Sequence, residues 1–299
     1  MKAFVTGSFG FVGRWLAEEL ERQGWDWAAF DRKLDDDLLN YEQVRNALDR
    51  ERPDVIFHLA AQAYVPESFI NPKRTFEVNT LGSLNILEAV RQLGLKTTVH
   101  LAGTSEEYGD SQIGDGVILE DATIPNPLSP YAISKLAMDH LGRLYAKSYG
   151  MHVVTTRAFN HTGPGRGEMY AESSFAKQVA EVEAGKRDHV EHGNLKSVRN
   201  YSDVRDIVRA YIMASKLPSG VYNICSDRNV DMEFVLNYLR SLSKKEIPTK
   251  VNPALFRPSD FSFKEPNCSK FKLATKWEPE YELEETLEDL LAYWREMVK

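Results

Sequence analysis

Short apolar segments alternate with longer amphipathic segments through the first half of the chain, and this alternation limits the fold more than any other feature. The apolar segments lack the polar residue at every second position that a half-exposed strand shows. They cover residues 3–5, 27–30, 55–59, 97–102 and 152–158. Such segments are typical of parallel strands that helices cover on both faces.

The segments between these strands have apolar residues at helical spacing and predict helices over residues 11–23, 41–51, 76–93 and 131–149. Right-handed crossovers then give an α/β fold with a Rossmann-like, doubly wound parallel sheet. After residue 160 the order loosens, and shorter helices are predicted over 175–184, 204–215, 231–242 and 282–297. The sequence therefore predicts one domain over 1–160, completed by roughly 195–224, and a smaller interleaved C-terminal α/β lobe over 161–194 and 225–299.

Composition excludes several classes of partner. The formal net charge of −7 disfavours nucleic acid and anionic membranes as general partners. No apolar run approaches the roughly 20 residues of a membrane span. The two cysteines, Cys225 and Cys268, lack zinc-site spacing, so no metal is expected. They also favour a reducing compartment, and we expect a cytoplasmic protein.

Three glycines follow the first strand at regular spacing. Gly7, Gly10 and Gly13 form a G-x-x-G-x-x-G turn that opens the first helix, with Phe9, Phe11 and Val12 between them. Glycines in this position permit a tight turn and close approach of the backbone to a pyrophosphate at the helix N-terminus. The sequence predicts a dinucleotide site here; a glycine-rich turn without a ligand is the alternative.

Asp31 ends the second predicted strand, where a carboxylate accepts hydrogen bonds from the ribose hydroxyls of NAD and repels a 2′-phosphate. It therefore favours NAD over NADP, although Arg32 and Lys33 beside it soften that preference. Asp37 and Leu38 are expected near the adenine. A turn residue at the start of a loop is the alternative role for Asp31.

Tyr131 and Lys135 are four residues apart on a predicted helix and therefore share one face. An ammonium beside a phenol favours the phenolate, which suits the phenol for acid–base work on a hydroxyl or carbonyl. Thr104, Ser105 and Glu106 follow the fourth strand at the edge where ligands bind. The alternative for Tyr131 and Lys135 is an exposed helical pair without a catalytic role. The alternative for Thr104 and Ser105 is a local backbone-capping turn.

These motifs together resemble the extended short-chain dehydrogenase/reductase family of nucleotide-sugar enzymes. The resemblance covers nearly the whole chain and includes residues 7–13, 58–61, 78–80, 104–109, 131–135 and 199–204. It implies a catalytic Thr–Tyr–Lys set in Thr104, Tyr131 and Lys135, and a homodimer formed through two helices per subunit. It also implies further cofactor contacts at Leu59, Ala60, Ala61, Asn79, Phe159 and His161, with a structural hydrogen bond as the alternative for His161.

Two segments are similar to a narrower group, the GDP-mannose 4,6-dehydratases and GDP-4-keto-6-deoxy-mannose reductases. Residues 159–166 match the segment after their fifth strand, and 256–260 resembles their R-P-[ST]-E segment, with aspartate in place of glutamate. This implies a GDP-sugar substrate, with arginines suited to grip its diphosphate. The expected substrate contacts are Gln62, Asn160, Lys177, Asn194, Arg199, Arg257 and Asp260; a surface ion pair with Asp203 or Asp206 is the alternative for Arg199.

The expected reaction is NAD(P)-dependent reduction of the C4 ketone of a GDP-4-keto-6-deoxy-hexose, as in a GDP-rhamnose-type reductase. The chain is compact, lacks an arginine-rich insert between residues 30 and 41, and lacks the G-Q-D-G turn of the dehydratases. A 4,6-dehydratase with Glu106 as base is the first alternative, and Asp31 suits its tightly held NAD. A 4-epimerase and a non-catalytic dinucleotide-binding regulator are the others.

Overall fold

The computed structural model describes residues 1–111, 116–256 and 265–299. Its strands, numbered along the chain, are β1 Lys2–Thr6, β2 Asp26–Phe30, β3 Val55–His58, β4 Thr98–Ala102, β5 Val117–Ile118, β6 His152–Ala158, β7 Asn160–Thr162, β8 Val190–His192, β9 Val198–Asp203, β10 Gly220–Ile224, β11 Asn229–Asp231, β12 Thr249–Val251 and β13 Glu265–Pro266. Its helices are α1 Phe11–Arg22, α2 Tyr41–Glu51, α3 Val65–Ile70, α4 Pro72–Phe76, α5 Gly82–Gln92, α6 Pro130–Tyr149, α7 Ala171–Glu183, α8 Val204–Ala214, α9 Met232–Ser241, α10 Ser269–Thr275 and α11 Leu283–Met297.

Within these residues, six strands form one parallel sheet in the order β10-β6-β4-β3-β1-β2. Apolar clusters form its core and include Phe57 and Phe4, which are buried completely. The chain leaves β1 for β2 on one side and returns to β3 on the other. The gap between the loops that follow β1 and β3 is therefore the switch point where ligands bind in such sheets. The predicted α/β fold with a doubly wound parallel sheet is confirmed.

The chain divides into two compact units. The first comprises Met1–Phe159, Ile207–Ile224 and Glu265–Glu278. The described part of the second comprises Asn160–Asp206, 225–256 and Pro279–Lys299. Residues 160 and 195–206 belong to the second unit and 265–278 to the first, while the predicted domain boundaries place the former in the first domain and the latter in the smaller lobe. Segment 265–278 lies with the first unit because Phe271 and Trp277 are buried in its core cluster.

The second unit has its own sheet and core. β9 pairs in parallel with β7 and antiparallel with β11, and β8 pairs with β12. Helices α7, α9 and α11 supply most of the apolar cluster, with Val179, Leu236 and Leu287 almost completely buried. No helix of the described ranges is long and apolar enough to cross a membrane.

The helix predicted over 76–93 is not regular. A π-helical turn over Glu77–Leu81 joins α4 to α5. Such turns are rare and occur often at functional sites, because the extra residue re-aims a side chain. Here the turn contains Asn79, which is buried.

Candidate active site

The glycine turn brings backbone close to backbone at the start of α1. Gly7 has a φ of +71°, and a Cβ there would lie 2.8 Å from the backbone of Ala60. A Cβ on Gly13 would lie 2.2 Å from the carbonyl oxygen of Gly7, so only glycine permits this packing. Gly10 is the N-cap of α1, and no side chain caps the helix. The first turn of α1 (Phe11, Val12, Gly13) contains no acidic residue, so its positive dipole end suits an anion.

A cavity of about 600 Å³ lies in the first unit at the switch point of the sheet. Its wall includes many of the residues that the sequence predicts for the cofactor, together with Gln62, which the sequence predicts for the substrate: Gly7, Phe9, Gly10, Asp31, Arg32, Asp37, Leu38, Leu59, Ala60, Ala61 and Gln62. The volume and the glycine-lined wall fit an extended dinucleotide, because the backbone is exposed where a pyrophosphate needs close contact.

Asp31 is held in place by backbone groups. One carboxylate oxygen accepts the N–H of Phe9 at 3.0 Å, and the other accepts the N–H of Lys33 at 3.0 Å. Asp31 therefore does act as a turn residue, because it caps the short 3₁₀ helix that begins at Arg32. A carboxylate has further acceptor sites, so this role leaves it able to bind ribose hydroxyls as well.

A buried hydrogen-bond chain supports the floor of the cavity. Ser83 donates its hydroxyl proton to the carbonyl oxygen of Asn79 at 2.6 Å, so it accepts from Nε2–H of His58 at 2.8 Å. Burial lowers the pKa of His58 to about 3, so the ring is neutral and its Nδ1 accepts the hydroxyl of Thr6 at 2.8 Å. Thr6 in turn accepts the N–H of Ala60 at 3.2 Å. This series of hydrogen bonds fixes the loop that begins after β3.

Asn79 joins this loop to α6. Its side-chain oxygen accepts the N–H of Gln62 at 2.8 Å, and its amide group donates to the carbonyl of Gln62 at 3.0 Å and to the hydroxyl of Ser134 at 2.9 Å. The sequence predicts a cofactor contact for Asn79. The structure uses its polar atoms to connect a cavity wall with the helix that carries Tyr131 and Lys135.

Tyr131 and Lys135 lie one turn apart at the start of α6, and both are buried. Ser129 caps the helix by accepting the N–H of Ala132 at 3.0 Å. The ammonium of Lys135 donates to the carbonyl of Ala102, the last residue of β4, at 2.7 Å. Burial lowers the pKa of Lys135 to about 8, and the charge of Glu107 opposes that shift.

Thr104 lies two residues beyond the end of β4 and caps a short 3₁₀ helix over Ser105–Glu107. Its hydroxyl accepts the N–H of Glu106 at 3.3 Å, while its own N–H donates to the carboxylate of Glu107 at 2.9 Å. Thr104 therefore does form the backbone-capping turn that is the alternative to its catalytic role. Ser105 and Glu106 are half-buried in the same turn.

The predicted substrate contacts lie largely in the second unit, and each is described there alone. Asn160 is exposed and His161 half-buried on β7, after Phe159 at the end of the first unit. Lys177 on α7 forms an ion pair with Glu168. Further along, Asn194 accepts the N–H of Lys196, and Arg199 donates to the carbonyl of Val198 at 2.7 Å. Arg257 and Asp260 lie outside the described residues.

Sequence reasoning does not assign a cofactor contact to several residues near the site. The cavity wall also includes Phe30, Asp36, Leu39, Arg74 and Val78, together with Lys33, which the sequence places beside Asp31. Arg74 reaches it from α4, whose position the local sequence does not fix. Glu107 follows Glu106 in the same motif, and only the fold shows that Glu107 is the buried one. No group of three or more potential metal ligands occurs in the described part of the chain.

Comparisons with known proteins show which proteins the chain is similar to. The model of the family GDP-mannose 4,6 dehydratase matches residues 32–290. A Pseudomonas aeruginosa protein named GDP-6-deoxy-D-mannose reductase is 31% identical to this chain. The alignment covers 100% of this chain and 98% of that protein. The solved structure of RMD from Pseudomonas aeruginosa, complexed with NADPH, has a TM-score of 0.89 at 30% identity and 99% coverage of both chains. Thermus thermophilus UDP-glucose 4-epimerase with NAD has a TM-score of 0.87 at 30% identity, again with 99% coverage of both chains.

Proposed function

Since the chain belongs to the GDP-mannose 4,6-dehydratase family of nucleotide-sugar enzymes, we propose that it reduces the C4 ketone of a GDP-4-keto-6-deoxy-hexose. The support is a relative that matches along its full length and is named GDP-6-deoxy-D-mannose reductase. The resemblance inferred from the sequence motifs is confirmed at the level of the family. NADPH and NAD in the related structures support binding of NAD(P) in the cavity at the switch point.

The observation that carries the proposal is the connection between this cavity and the catalytic helix. Gln62 lines the cavity, and Asn79 joins Gln62 to Ser134, the residue before Lys135. The ammonium of Lys135 also contacts Ala102 at the end of the strand that leads to Thr104. The three catalytic groups, Thr104, Tyr131 and Lys135, thus come from elements that are linked to the dinucleotide cavity.

When bound in the cavity, NAD(P)H would supply a hydride to C4 of the sugar. Tyr131 donates its phenolic proton to the C4 oxygen, so the ketone becomes a secondary alcohol and the phenol becomes a phenolate. Lys135 stabilises that phenolate through its positive charge. The Thr104 hydroxyl donates a hydrogen bond to the carbonyl oxygen and orients it. Asp31, the glycine turn and the N-terminus of α1 hold the dinucleotide.

A 4,6-dehydratase is the second candidate, because the family model carries that name and Glu106 stands in the motif where dehydratases place a base. In that reaction bound NAD(P)+ would accept the hydride from C4 and Tyr131 the hydroxyl proton. A carboxylate at this place then removes the C5 proton, water leaves from C6, and the hydride returns to C6. The two reactions differ in net redox change. Only the reductase consumes external reduced cofactor.

Incubation with two substrates separates the candidates. The protein is mixed with GDP-4-keto-6-deoxy-mannose and NADPH or NADH and, separately, with GDP-mannose and NADP+ or NAD+. We expect the keto sugar to gain two hydrogens while cofactor absorbance at 340 nm falls in equal amount. Loss of water from GDP-mannose without net cofactor consumption would reject the reductase in favour of the dehydratase.

We further propose that GDP is the nucleotide and that Arg199, Lys177, Asn160 and Asn194 contribute to its binding. Arginine and lysine suit a diphosphate, and the side-chain amides add neutral donors. Isothermal titration of GDP and UDP checks this proposal. Tighter binding of GDP by at least tenfold is expected, and equal affinity would reject base selection.

Homodimer formation is also proposed, from an apolar surface on the first unit. Phe69, Ile70, Leu81, Ile133 and Leu144 are each 45–79% exposed, on α3, the π-helical turn and α6, and the first two elements each pack against α6. Large exposed apolar surfaces are typical of protein interfaces. Light scattering should show a dimer, and Ile133→Asp with Leu144→Asp should give a monomer; a monomeric wild type would reject this proposal.

A cytoplasmic location completes the proposal. Cys225 and Cys268 are buried thiols, as expected in a reducing compartment. Fractionation of the native cells, with detection by antibody, checks the location.

A further inference from the structure

A fully buried carboxylate lies beside the catalytic groups and has no role in the proton or hydride steps. Glu107 has no solvent exposure. One of its oxygens accepts the N–H of Thr104 at 2.9 Å, and the other accepts Nε–H of Arg157 at 2.7 Å. Burying a carboxylate is costly, so both oxygens being used indicates a position that the fold specifies strongly.

The contacts continue from Arg157 to the catalytic helix. Nη2 of Arg157 donates to Asp139 on α6 at 2.6 Å, and both side chains are completely buried. Asp139 follows Lys135 by four residues and Tyr131 by eight, so all three lie along one face of α6. The buried ions therefore connect the turn that carries Thr104 with the helix that carries Tyr131.

Thr104 and Tyr131 belong to different elements of the first unit, and both must contact the same carbonyl oxygen. Their relative position depends on how β4 and α6 are fixed together. Lys135 supplies one link through Ala102. The ions Glu107, Arg157 and Asp139 supply a second. Gly103 leaves room for this second link, because a Cβ at that position would lie only 2.7 Å from the Glu107 carboxylate.

We propose that Glu107 is a positioning residue that sets the place of Thr104 relative to Tyr131. Glu107 acts through the Thr104 backbone and through Arg157, and it does not contact the substrate. The inference rests on the proposed function, because it takes Thr104 and Tyr131 as the groups that bind the carbonyl.

The charge of Glu107 also acts on Lys135. The charged and titratable groups around Lys135 are Glu107 after β4, His100 on β4, His58 on β3, Tyr131 and Asp139 on its own helix, and Arg157 on β6, which pairs with Glu107 and Asp139. Burial raises the pKa of Glu107 to about 7, so its charge is present above that pH, where Lys135 titrates. Burial lowers the pKa of both histidines to about 3, so they carry no charge at neutral pH. The negative charge of Glu107 raises the pKa of Lys135. Removing that charge should lower the pKa of Lys135, so the ammonium would be lost at a lower pH.

The test compares Glu107→Gln and Glu107→Leu with the wild type. Glutamine keeps an acceptor for the Thr104 N–H and removes the charge, whereas leucine removes both. A displacement of about 1 Å at a catalytic group costs on the order of 10²-fold in rate. We expect kcat to fall about tenfold in the glutamine variant and about 10²-fold in the leucine variant. The Kd of the cofactor should change less than about twofold, and the alkaline limb of kcat should move to lower pH.

Leu48→Ala is the matched control, because Leu48 is buried in the apolar core of the first unit and contacts none of these groups. It should lower Tm without lowering kcat. An unchanged kcat in the Glu107 variants, a loss equal to that of the control, or an unmoved alkaline limb would overturn the proposal. If the Glu107 variants do not fold, Gly103→Ala is the second variant. Its Cβ would lie 2.7 Å from the Glu107 carboxylate and 2.9 Å from the carbonyl oxygen of Thr156, so it displaces the turn after β4, and wild-type kcat in the folded variant would overturn the proposal.

Failure of the proposed function is distinguishable from failure of this inference. The rate is measured with whichever sugar nucleotide the wild type converts, so a wrong reductase assignment appears in the wild type and not as a difference between variants. Amide hydrogen exchange of the peptide that contains Thr104 needs no substrate. Exchange should be faster in Glu107→Leu and unchanged in Leu48→Ala, and equal exchange in all three proteins would overturn the proposal.

Discussion

The ammonium of Lys135 donates a hydrogen bond to the carbonyl oxygen of Ala102 at 2.7 Å. This contact ties the helix that carries Tyr131 to the end of the strand that leads to Thr104. The charge needed beside the phenol and the geometry of the site therefore depend on one side chain.

Removal of the Tyr131 hydroxyl should abolish most turnover and leave cofactor binding nearly intact. Tyr131→Phe takes away the proton donor but keeps the buried ring, and general acid catalysis contributes about 10²–10⁴-fold. Steady-state kinetics and a fluorescence titration with NADPH measure the two effects. Turnover like that of the wild type would remove Tyr131 as the acid.

The rate should fall as pH rises above about 8. Burial lowers the pKa of Lys135 to about 8, so its ammonium is complete below that pH and is lost above it. Glu107 opposes the shift, and His58 and His100 are neutral. A kcat profile from pH 6 to 10 measures this limb. The Lys135→Met variant should have a low rate and a pH profile without this alkaline limb. If the variant keeps the same limb, the limb belongs to another group.

Glu106→Gln distinguishes the two candidate reactions within one protein. A reductase does not break the C5–H bond, so its kcat should stay within about threefold of the wild type, whereas a dehydratase loses its base and about 10²–10⁴-fold in rate. Thr104 caps the N–H of Glu106, and the substitution leaves that backbone contact in place. Exchange of the C5 proton with deuterated water, followed by NMR, provides a second measurement; a severe loss of ketone reduction would contradict the assignment.

Asp31→Ala should raise the affinity for NADP relative to NAD by about tenfold, or about 1.4 kcal/mol, because the carboxylate repels a 2′-phosphate. Arg32 and Lys33 line the same cavity and remain available to the phosphate. Asp31→Asn is the control, since it removes the charge while keeping an acceptor for the N–H of Lys33 or Phe9. An unchanged ratio of affinities would mean that Asp31 does not reach the ribose.

The sequence predicts the sheet well because its strands are apolar on both faces. The segments over 41–51 and 152–158 agree with α2 and β6 residue for residue. The π-helical turn at Glu77–Leu81 was not predicted, since its apolar spacing differs little from that of a regular helix. Local sequence does not predict that segment 265–278 lies with the first unit, because that placement depends on the burial of Phe271 and Trp277 against distant strands.

Local motifs also predict much of the candidate site. Residues near the glycine turn, such as Phe9 and Asp31, lie on the cavity wall because a strand–turn–helix segment fixes them locally. The contributions of Arg74 and Glu107 depend on tertiary contacts instead. The sequence does not show which of Glu106 and Glu107 is buried, because that difference comes from Arg157 on β6. The preference for NAD stays a prediction.

Transfer of a labelled hydride tests the central claim most directly. The protein is incubated with GDP-4-keto-6-deoxy-mannose and NADPH that carries deuterium at both C4 positions of the nicotinamide, and the product is examined by NMR and mass spectrometry. The account predicts one deuterium at C4 of the sugar for each NADPH oxidised. A product without deuterium at C4, or a keto sugar recovered unchanged with the cofactor still reduced, would contradict it.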